Sequence, residues 1–267
     1  MSDKWKLFAI FGDPVAHSRS PLMHNSVFKN LNYKACYTRV HLEDSTKLKE
    51  IFFSLKLSGA NVTVPHKEAA YEACDEVRGF AKKVGVVNTL VNENGRLIGY
   101  NTDADGFMFA IKEFGDVKNI LILGAGGTAK ALASKFIDSA IKVSVINRSD
   151  SRLSYFKELG CECFNWDNFE IQKYDLVVNT TSAGLKDEEL PAPLTLIEKL
   201  LDNTFFVAEA IYGKITPFLK LAKDKNLTCK DGADMLLAQG ILANELFVNY
   251  ELKNDDIKHY MSKSFEL

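Results

Sequence analysis

Residues 119–129 read NILILGAGGTA. Asn119-Ile-Leu-Ile-Leu123 is an apolar run of strand length, Gly124-Ala125-Gly126-Gly127-Thr128-Ala129 follows without a spacer, and 130–140 continues in helix-forming residues. Strand, G-x-G-x-x-A, then helix is the order a dinucleotide site requires. The glycines allow a tight turn and close backbone approach, and a helix N-terminus faces the pyrophosphate. Without those flanks the same residues would be an ordinary glycine turn. The next strand, 142–146, ends in Asn147-Arg148-Ser149. An NAD site usually places an acid at that strand end, to accept from the ribose 2′-hydroxyl. A neutral residue followed by arginine fits a 2′-phosphate. NADP is therefore favoured, while Asp150 close by keeps NAD open.

On both sides of this unit, strand-like and helix-like segments alternate. That favours an α/β fold with parallel sheets covered by helices. Upstream the pattern predicts strands over 7–11, 35–40 and 61–64, helices over 21–31 and 46–57, and a helix opened by Pro65. Asn94-Gly95 marks a hairpin between two short strands, and Phe107, Ala110, Ile111 and Phe114 have the spacing of a helix face. The 267 residues allow one large domain or two ordinary ones. A net charge of -2 carries no electrostatic footprint for nucleic acid or an anionic membrane. Five scattered cysteines without a C-x-x-C pair argue against a disulfide framework or structural zinc and suit a reduced, cytoplasmic setting. No signal-peptide core or segment of transmembrane length is expected.

One residue is out of place in this scheme. In NVTVPHKEAAY, residues 61–71, Lys67 falls in the first turn of the predicted helix, where the dipole disfavours an ammonium and an acid is the usual choice. Elsewhere, Ser20 before Pro21 reads as a helix N-cap, or with Ser18 as a hydroxyl pair for a carboxylate at a helix N-terminus. Asp103 in Gly99-Tyr-Asn-Thr-Asp103 reads as an N-cap or first-turn acid.

Together these stretches resemble the shikimate dehydrogenase family. The resemblance rests on GDPVAHSRSPLMHN at Gly12 to Asn25, NVTVPHK at Asn61 to Lys67, GVVNT at Gly85 to Thr89 and GYNTDADG at Gly99 to Gly106, in that order before GAGGTA. It implies a substrate domain over 1–101 completed by C-terminal helices over 238–267, a Rossmann-like NADP domain over 102–237, and an active site in the cleft between them. The implied activity is reversible, NADP-dependent reduction of 3-dehydroshikimate to shikimate, in the route to chorismate and the aromatic amino acids. Lys67 matches the family's catalytic lysine and Asp103 its aspartate partner. Ser18 and Ser20 match the carboxylate-binding serines, and Thr63, Asn88, Tyr212 and Gln239 match other substrate contacts. Gly124, Ala125, Gly126, Gly127, Thr128 and Ala129 match the phosphate loop, and Asn147, Arg148 and Ser149 the 2′-phosphate pocket. Thr180, Gly232 and Met235 match positions near the cofactor.

Taken singly, each has an ordinary alternative: Asn88 a turn residue, Thr63 a strand filler, Tyr212 a core aromatic, Gln239 an exposed helical polar residue, Met235 core. The sequence departs from the family around Tyr212, where Glu209 stands in place of an aspartate and the spacing to Thr216-Pro217 is one residue short. His17 and His66 receive no catalytic role, and His24, His41 and His259 read as packing or surface residues. Oxidising a secondary alcohol requires its proton to leave with the hydride, and the reverse reaction requires a donor for the developing alkoxide. Lys67 is the expected proton-transfer group, with Asp103 orienting the hydroxyl; which of the two accepts the proton is open. Two other readings also stay open, an NAD-using quinate/shikimate dehydrogenase and a non-catalytic metabolite sensor. Both a monomer and a homodimer are compatible with the terminal helices.

Overall fold

The computed structural model describes residues 4–265, which divide into two units. One comprises the chain up to Thr102 together with that from Leu237 onward, and the other Asp103–Leu236.

In the first unit, β1 (Lys6–Gly12) leads to α1 (Ser20–Asn30), β2 (Ala35–His41), α2 (Leu48–Ser54), β3 (Gly59–Val62) and α3 (Lys67–Ala73). The short β4 (Glu76–Val77) and α4 (Phe80–Val84) precede the hairpin of β5 (Thr89–Glu93) and β6 (Arg96–Tyr100). The strand order is β2-β1-β3-β5-β6-β4. The sheet is mixed, parallel at β2, β1 and β3 and antiparallel at the expected hairpin. Asn94 and Gly95, at φ 55 and 83, reverse the chain in the two-residue turn between β5 and β6, and β5 also runs antiparallel to β3.

Three boundaries differ from the sequence reading. Pro65 does not open a helix: His66 N–H closes a turn on Thr63 O at 3.0 Å, the Val64–Pro65 peptide is cis, and α3 begins at Lys67. Ser20 is not an N-cap but the first helical residue of α1, after Arg19. The helix expected over 46–57 starts at Leu48, after a turn where Asp44 Oδ1 accepts from Thr46 N–H at 3.0 Å. It stops at Ser54 because Lys56 takes φ 54 and Leu57 N–H reaches back to Phe52 O at 3.1 Å, the closing bond of a left-handed C-terminal cap.

The second unit begins with α5 (Asp103–Ile111) and continues through β7 (Asn119–Leu123), α6 (Gly127–Asp138), β8 (Lys142–Asn147), α7 (Ser154–Glu158) and β9 (Glu162–Asn165). Then come β10 (Tyr174–Asn179), α8 (Leu194–Leu201), β11 (Thr204–Glu209), α9 (Pro217–Asp224) and β12 (Thr228–Lys230). All its strand pairs are parallel, in the order β12-β11-β10-β7-β8-β9. This is the doubly wound dinucleotide-binding topology, whose direction reverses between β7 and β10. The apolar run of β7 is explained by burial on both faces. Ile120 and Ile122 join Ala129, Leu132 and Phe136 of α6 on one side, while Leu121 and Leu123 meet Ile197, Leu200 and Phe218 on the other. The helix α10 (Ala233–Phe247) carries the chain from the second unit into the first, and α11 (Asn254–Lys263) follows. Phe247 stacks on Phe8 of β1 at 4.8 Å between ring centroids, fixing the end of α10 to the first sheet. Among the described residues no helix is long and apolar enough to cross a membrane.

Candidate active site

In the first unit, of the expected substrate residues Ser18 and Ser20 follow β1, Thr63 and Lys67 follow β3, Asn88 precedes β5 and Gln239 lies on α10. Ser18 and Ser20 are buried and joined, with Ser18 Oγ 3.2 Å from Ser20 Oγ and accepting from Ser20 N–H at 3.3 Å. Arg39 of β2 fixes this bend, donating through Nε and Nη2 to Ser18 O at 3.1 and 2.5 Å. The two hydroxyls thus stand at the start of α1 on a braced backbone, suited to an anion. Thr63, half-buried, follows β3 and opens the turn that leads to Lys67.

Lys67 is buried, with 9% of its surface exposed, at the first position of α3. Its carbonyl accepts from Val87 N–H at 3.0 Å, which places Asn88 next to it. Asn88 holds the segment leading to Asp103: its Oδ1 accepts from Thr102 N–H at 2.9 Å and its Nδ2 donates to Thr102 Oγ1 at 2.9 Å. Asn88 is in turn held by Thr89 Oγ1, 3.0 Å from its Oδ1, and Thr89 Oγ1 accepts from Asn61 Nδ2 at 3.1 Å. Tyr37 OH donates to Asn61 Oδ1 at 2.7 Å. This buried polar chain fixes the orientation of the Asn88 amide. Asn61, Thr89, Thr102, Tyr37 and Arg39 were not singled out from the sequence. The first three lie inside the NVT, NT and NTD motifs, which was the available signal; Tyr37 and Arg39 had none. Gln239 is buried on α10.

Asp103 is the first residue of α5 and is buried. In the second unit, the loop after β7 lies at the point where strand order reverses. Gly124 takes φ 103, and a Cβ there would lie 3.1 Å from Thr180 Oγ1 and 2.8 Å from Thr181 Cγ2. Thr180 itself donates from Oγ1 to Leu123 O at 2.8 Å, so the loops after β7 and β10 are in contact. Ala125 and Ala129 are buried, whereas Gly126, Gly127 and Thr128 are part-exposed. Gly126 caps α6 with extended backbone and no side-chain bond, and a Cβ on it would meet no heavy atom within 4 Å. Gly126 thus brings no capping side chain to the start of α6 and leaves open space at its own Cβ position, which fits close approach of a pyrophosphate.

At the end of β8, Asn147 Nδ2 donates to Ser149 O at 2.9 Å and shapes the turn bearing the exposed Arg148. Ser149 Oγ lies 3.0 Å from Ser151 Oγ. Asp150, which left NAD open, accepts from Asn165 Nδ2 at 2.8 Å. A guanidinium beside hydroxyls suits a phosphate dianion better than a hydroxyl pair. Tyr212 is half-buried in the loop between β11 and α9, and Gly232 N–H donates to Ile211 O beside it at 2.8 Å. Met235 is buried and packs with Ile122, Val178 and Ala208 in the core, so part of its surface serves packing.

His24 is buried, stacked on Tyr37 at 4.4 Å, and Asn244 Nδ2 lies 2.9 Å from its Nδ1; burial pushes it down to about 3. His66 is also buried, with Nε2 2.6 Å from Leu42 O. It anchors the turn before α3 and so positions Lys67. Glu209, noted in the sequence only as a departure, is 1% exposed and is pushed up to about 7 by burial, an effect its hydrogen bonds to Thr216 and Asn179 oppose.

The pattern of the shikimate dehydrogenase substrate binding domain matches residues 10–90. The shikimate dehydrogenase (NADP(+)) of Helicobacter hepaticus is 43% identical over 260 residues, covering 97% of each chain. That of Helicobacter pylori strain 26695 is 44% identical over 250 residues, 91% of this chain and 93% of its own. The solved shikimate 5-dehydrogenase of Thermus thermophilus, in complex with NADP(H) and shikimate, is 33% identical and superposes with a TM-score of 0.82, covering 97% of this chain and 99% of its own. With near-complete coverage at this identity, the chain belongs to the shikimate dehydrogenase family.

Proposed function

We propose that this protein is an NADP-dependent shikimate dehydrogenase, interconverting shikimate and 3-dehydroshikimate on the way to chorismate. The observation that carries this reading is the set of bonds linking Lys67 O to Val87 N–H and Asn88 to Thr102, the residue before Asp103. Such bracing is what a proton-transfer pair needs, since a catalytic group displaced by about 1 Å can lose about a hundredfold in rate. Bound nicotinamide supplies or accepts the hydride. Lys67 takes the hydroxyl proton in oxidation and donates to the developing alkoxide in reduction, and Asp103 orients the hydroxyl and shares that proton. Ser18 and Ser20 hold the carboxylate. Thr63, Asn88, Tyr212 and Gln239 complete the substrate contacts.

For the cofactor, the residues from Gly124 to Ala129 hold the pyrophosphate on the α6 N-terminus, and Asn147, Arg148 and Ser149 hold the 2′-phosphate. Thr180, Gly232 and Met235 stand near the cofactor. Five free cysteines fit a reduced, cytoplasmic setting. The test is NADPH appearance with purified protein and shikimate, with NAD and quinate exchanged in. Turnover with shikimate and NADP supports the assignment. Preference for NAD or quinate moves the protein to the broader-specificity reading, and binding without turnover in any combination makes it a sensor.

A further inference from the structure

Glu209 is the last residue of β11 and one of the few carboxylates buried in the second unit. Its Oε1 and Oε2 lie 3.0 and 2.9 Å from Thr216 Oγ1, which donates to the carboxylate. Thr216 also caps α9, its Oγ1 accepting from Leu219 N–H at 3.2 Å. Both ends of the loop bearing Tyr212 are therefore fastened through one carboxylate. Oε2 accepts as well from Asn179 Nδ2, at 3.4 Å, at the end of β10. The same Asn179 accepts through Oδ1 from Thr181 N–H and Oγ1 at 3.0 and 2.8 Å, shaping the turn that bears Thr180.

Packing brings the loops together independently of the carboxylate. A Cβ on Gly184, in the loop after β10, would stand 3.0 Å from Thr216 Cβ, and one on Gly232, after β12, would stand 2.3 Å from Ala210 O. The loops after β10, β11 and β12 thus converge on the segment that starts at Glu209, at the strand ends where doubly wound sheets bind their ligands.

We propose that Glu209 is a positioning residue: its carboxylate ties these loops into one surface and thereby sets the affinity for both cofactor and shikimate. This rests on the function proposed above. Burial raises the Glu209 carboxylate to about 7, Asp231 adds to the rise and Lys214 opposes it. The Cys229 thiol is the other titratable neighbour on β12, and Lys230 is paired with Glu113 and Asp234. Above neutrality the charged carboxylate accepts from Thr216 and Asn179 in bonds stronger than those of the neutral acid. Below it the tie weakens.

The test measures KM and kcat for NADP and shikimate from pH 6 to 9 in wild type, Glu209→Gln and Thr216→Val, with a melt of each. In Glu209→Gln, KM for both ligands should rise about tenfold, the equivalent of one charge-assisted hydrogen bond, with kcat changed less than about threefold. The rise in wild-type KM as pH falls through 7 should vanish. Thr216→Val, which keeps the carboxylate, should move KM in the same direction and reads the effect if Glu209→Gln does not fold. Folded variants that melt lower yet keep wild-type KM values and the wild-type pH profile would reduce Glu209 to a structural cross-link and overturn the proposal. Wild type without turnover would instead sink the functional reading beneath it.

Discussion

Asn88 grips Thr102 from two directions, accepting its backbone N–H on Oδ1 at 2.9 Å and donating from Nδ2 to its Oγ1 at 2.9 Å. The first bond fixes the backbone one residue before Asp103, and the second fixes the amide itself. Replacing Asn88 with alanine removes both and leaves a buried N–H unpaired, at a cost of about 1–3 kcal/mol. We expect Asn88→Ala to lower the melting temperature and to cut kcat/KM for shikimate by about a hundredfold, as misplaced groups near the chemistry do. Thr102→Val keeps the backbone bond and should lose much less. Equal losses in the two variants would show that the backbone bond does not position Asp103.

Lys67 sits where a cation is electrostatically disfavoured, at the first position of α3, and it is almost wholly buried. Function and stability should therefore separate. Lys67→Met is predicted to lower kcat by about 10²–10⁴-fold, the usual worth of a general acid or base, while NADPH binding is unchanged. Its melting temperature should equal or exceed that of wild type. Near-normal turnover with collapsed shikimate binding would make Lys67 a binding residue instead.

The phosphate loop makes a second separation possible within two positions. Gly124 takes φ 103, and an added Cβ would press on Thr181 Cγ2 at 2.8 Å, so Gly124→Ala should cost about 1–3 kcal/mol of stability. Gly126 takes an ordinary extended φ, with open space where a Cβ would be. Gly126→Ala should melt like wild type yet bind NADPH more weakly, because the methyl would occupy the space proposed for the pyrophosphate. Melting curves with a fluorescence titration of NADPH decide the point. Unchanged NADPH affinity would place the phosphates elsewhere.

At the end of β8, Arg148 is exposed and the turn beneath it is shaped by Asn147. Arg148→Ala should raise KM for NADP about 10–100-fold, as expected for the loss of a guanidinium–phosphate contact, and leave KM for NAD unchanged. A parallel rise for both cofactors would assign Arg148 to the loop's shape and not to the 2′-phosphate.

What could be read from the sequence was what is local in the chain. The β7–Gly124–α6 unit and the Asn94-Gly95 hairpin each depend on neighbours within one turn, so composition and spacing sufficed. Pro65 could not be read, because its turn depends on distant groups. Asp13 N–H donates to Val64 O at 3.2 Å, and His66 is anchored on Leu42 O. Likewise the bend before Ser20, which is the first helical residue of α1 and not its cap, is held by Arg39 of β2 through Ser18 O. Glu209 looked like a departure until the fold brought Asn179 and Thr216 to it from different elements. The residues proposed to carry the chemistry lie in recognisable motifs, as do Asn61, Thr89 and Thr102 among those that brace them, whereas Tyr37 and Arg39 are brought in only by topology.

The last prediction concerns stability against pH, where two buried groups oppose each other. Glu209 rises from an ordinary 4.5 to about 7, so between those values the native state binds more protons than the unfolded chain and stability falls as pH rises. His24 falls from 6.5 to about 3, so over that interval the native state binds fewer protons and stability climbs with pH. Between 4.5 and 6.5 the two slopes, each at most about 1.4 kcal/mol per pH unit, tend to cancel. From 6.5 to 7 only Glu209 still contributes. In Glu209→Gln the His24 slope is left unopposed, so urea midpoints of the variant relative to wild type should climb steadily from pH 5 to 7 and level off above 8. A difference that stays flat across that range would mean Glu209 titrates near its ordinary value. The carboxylate would then stay charged, and its tie to Thr216 at full strength, at every pH where the enzyme is assayed.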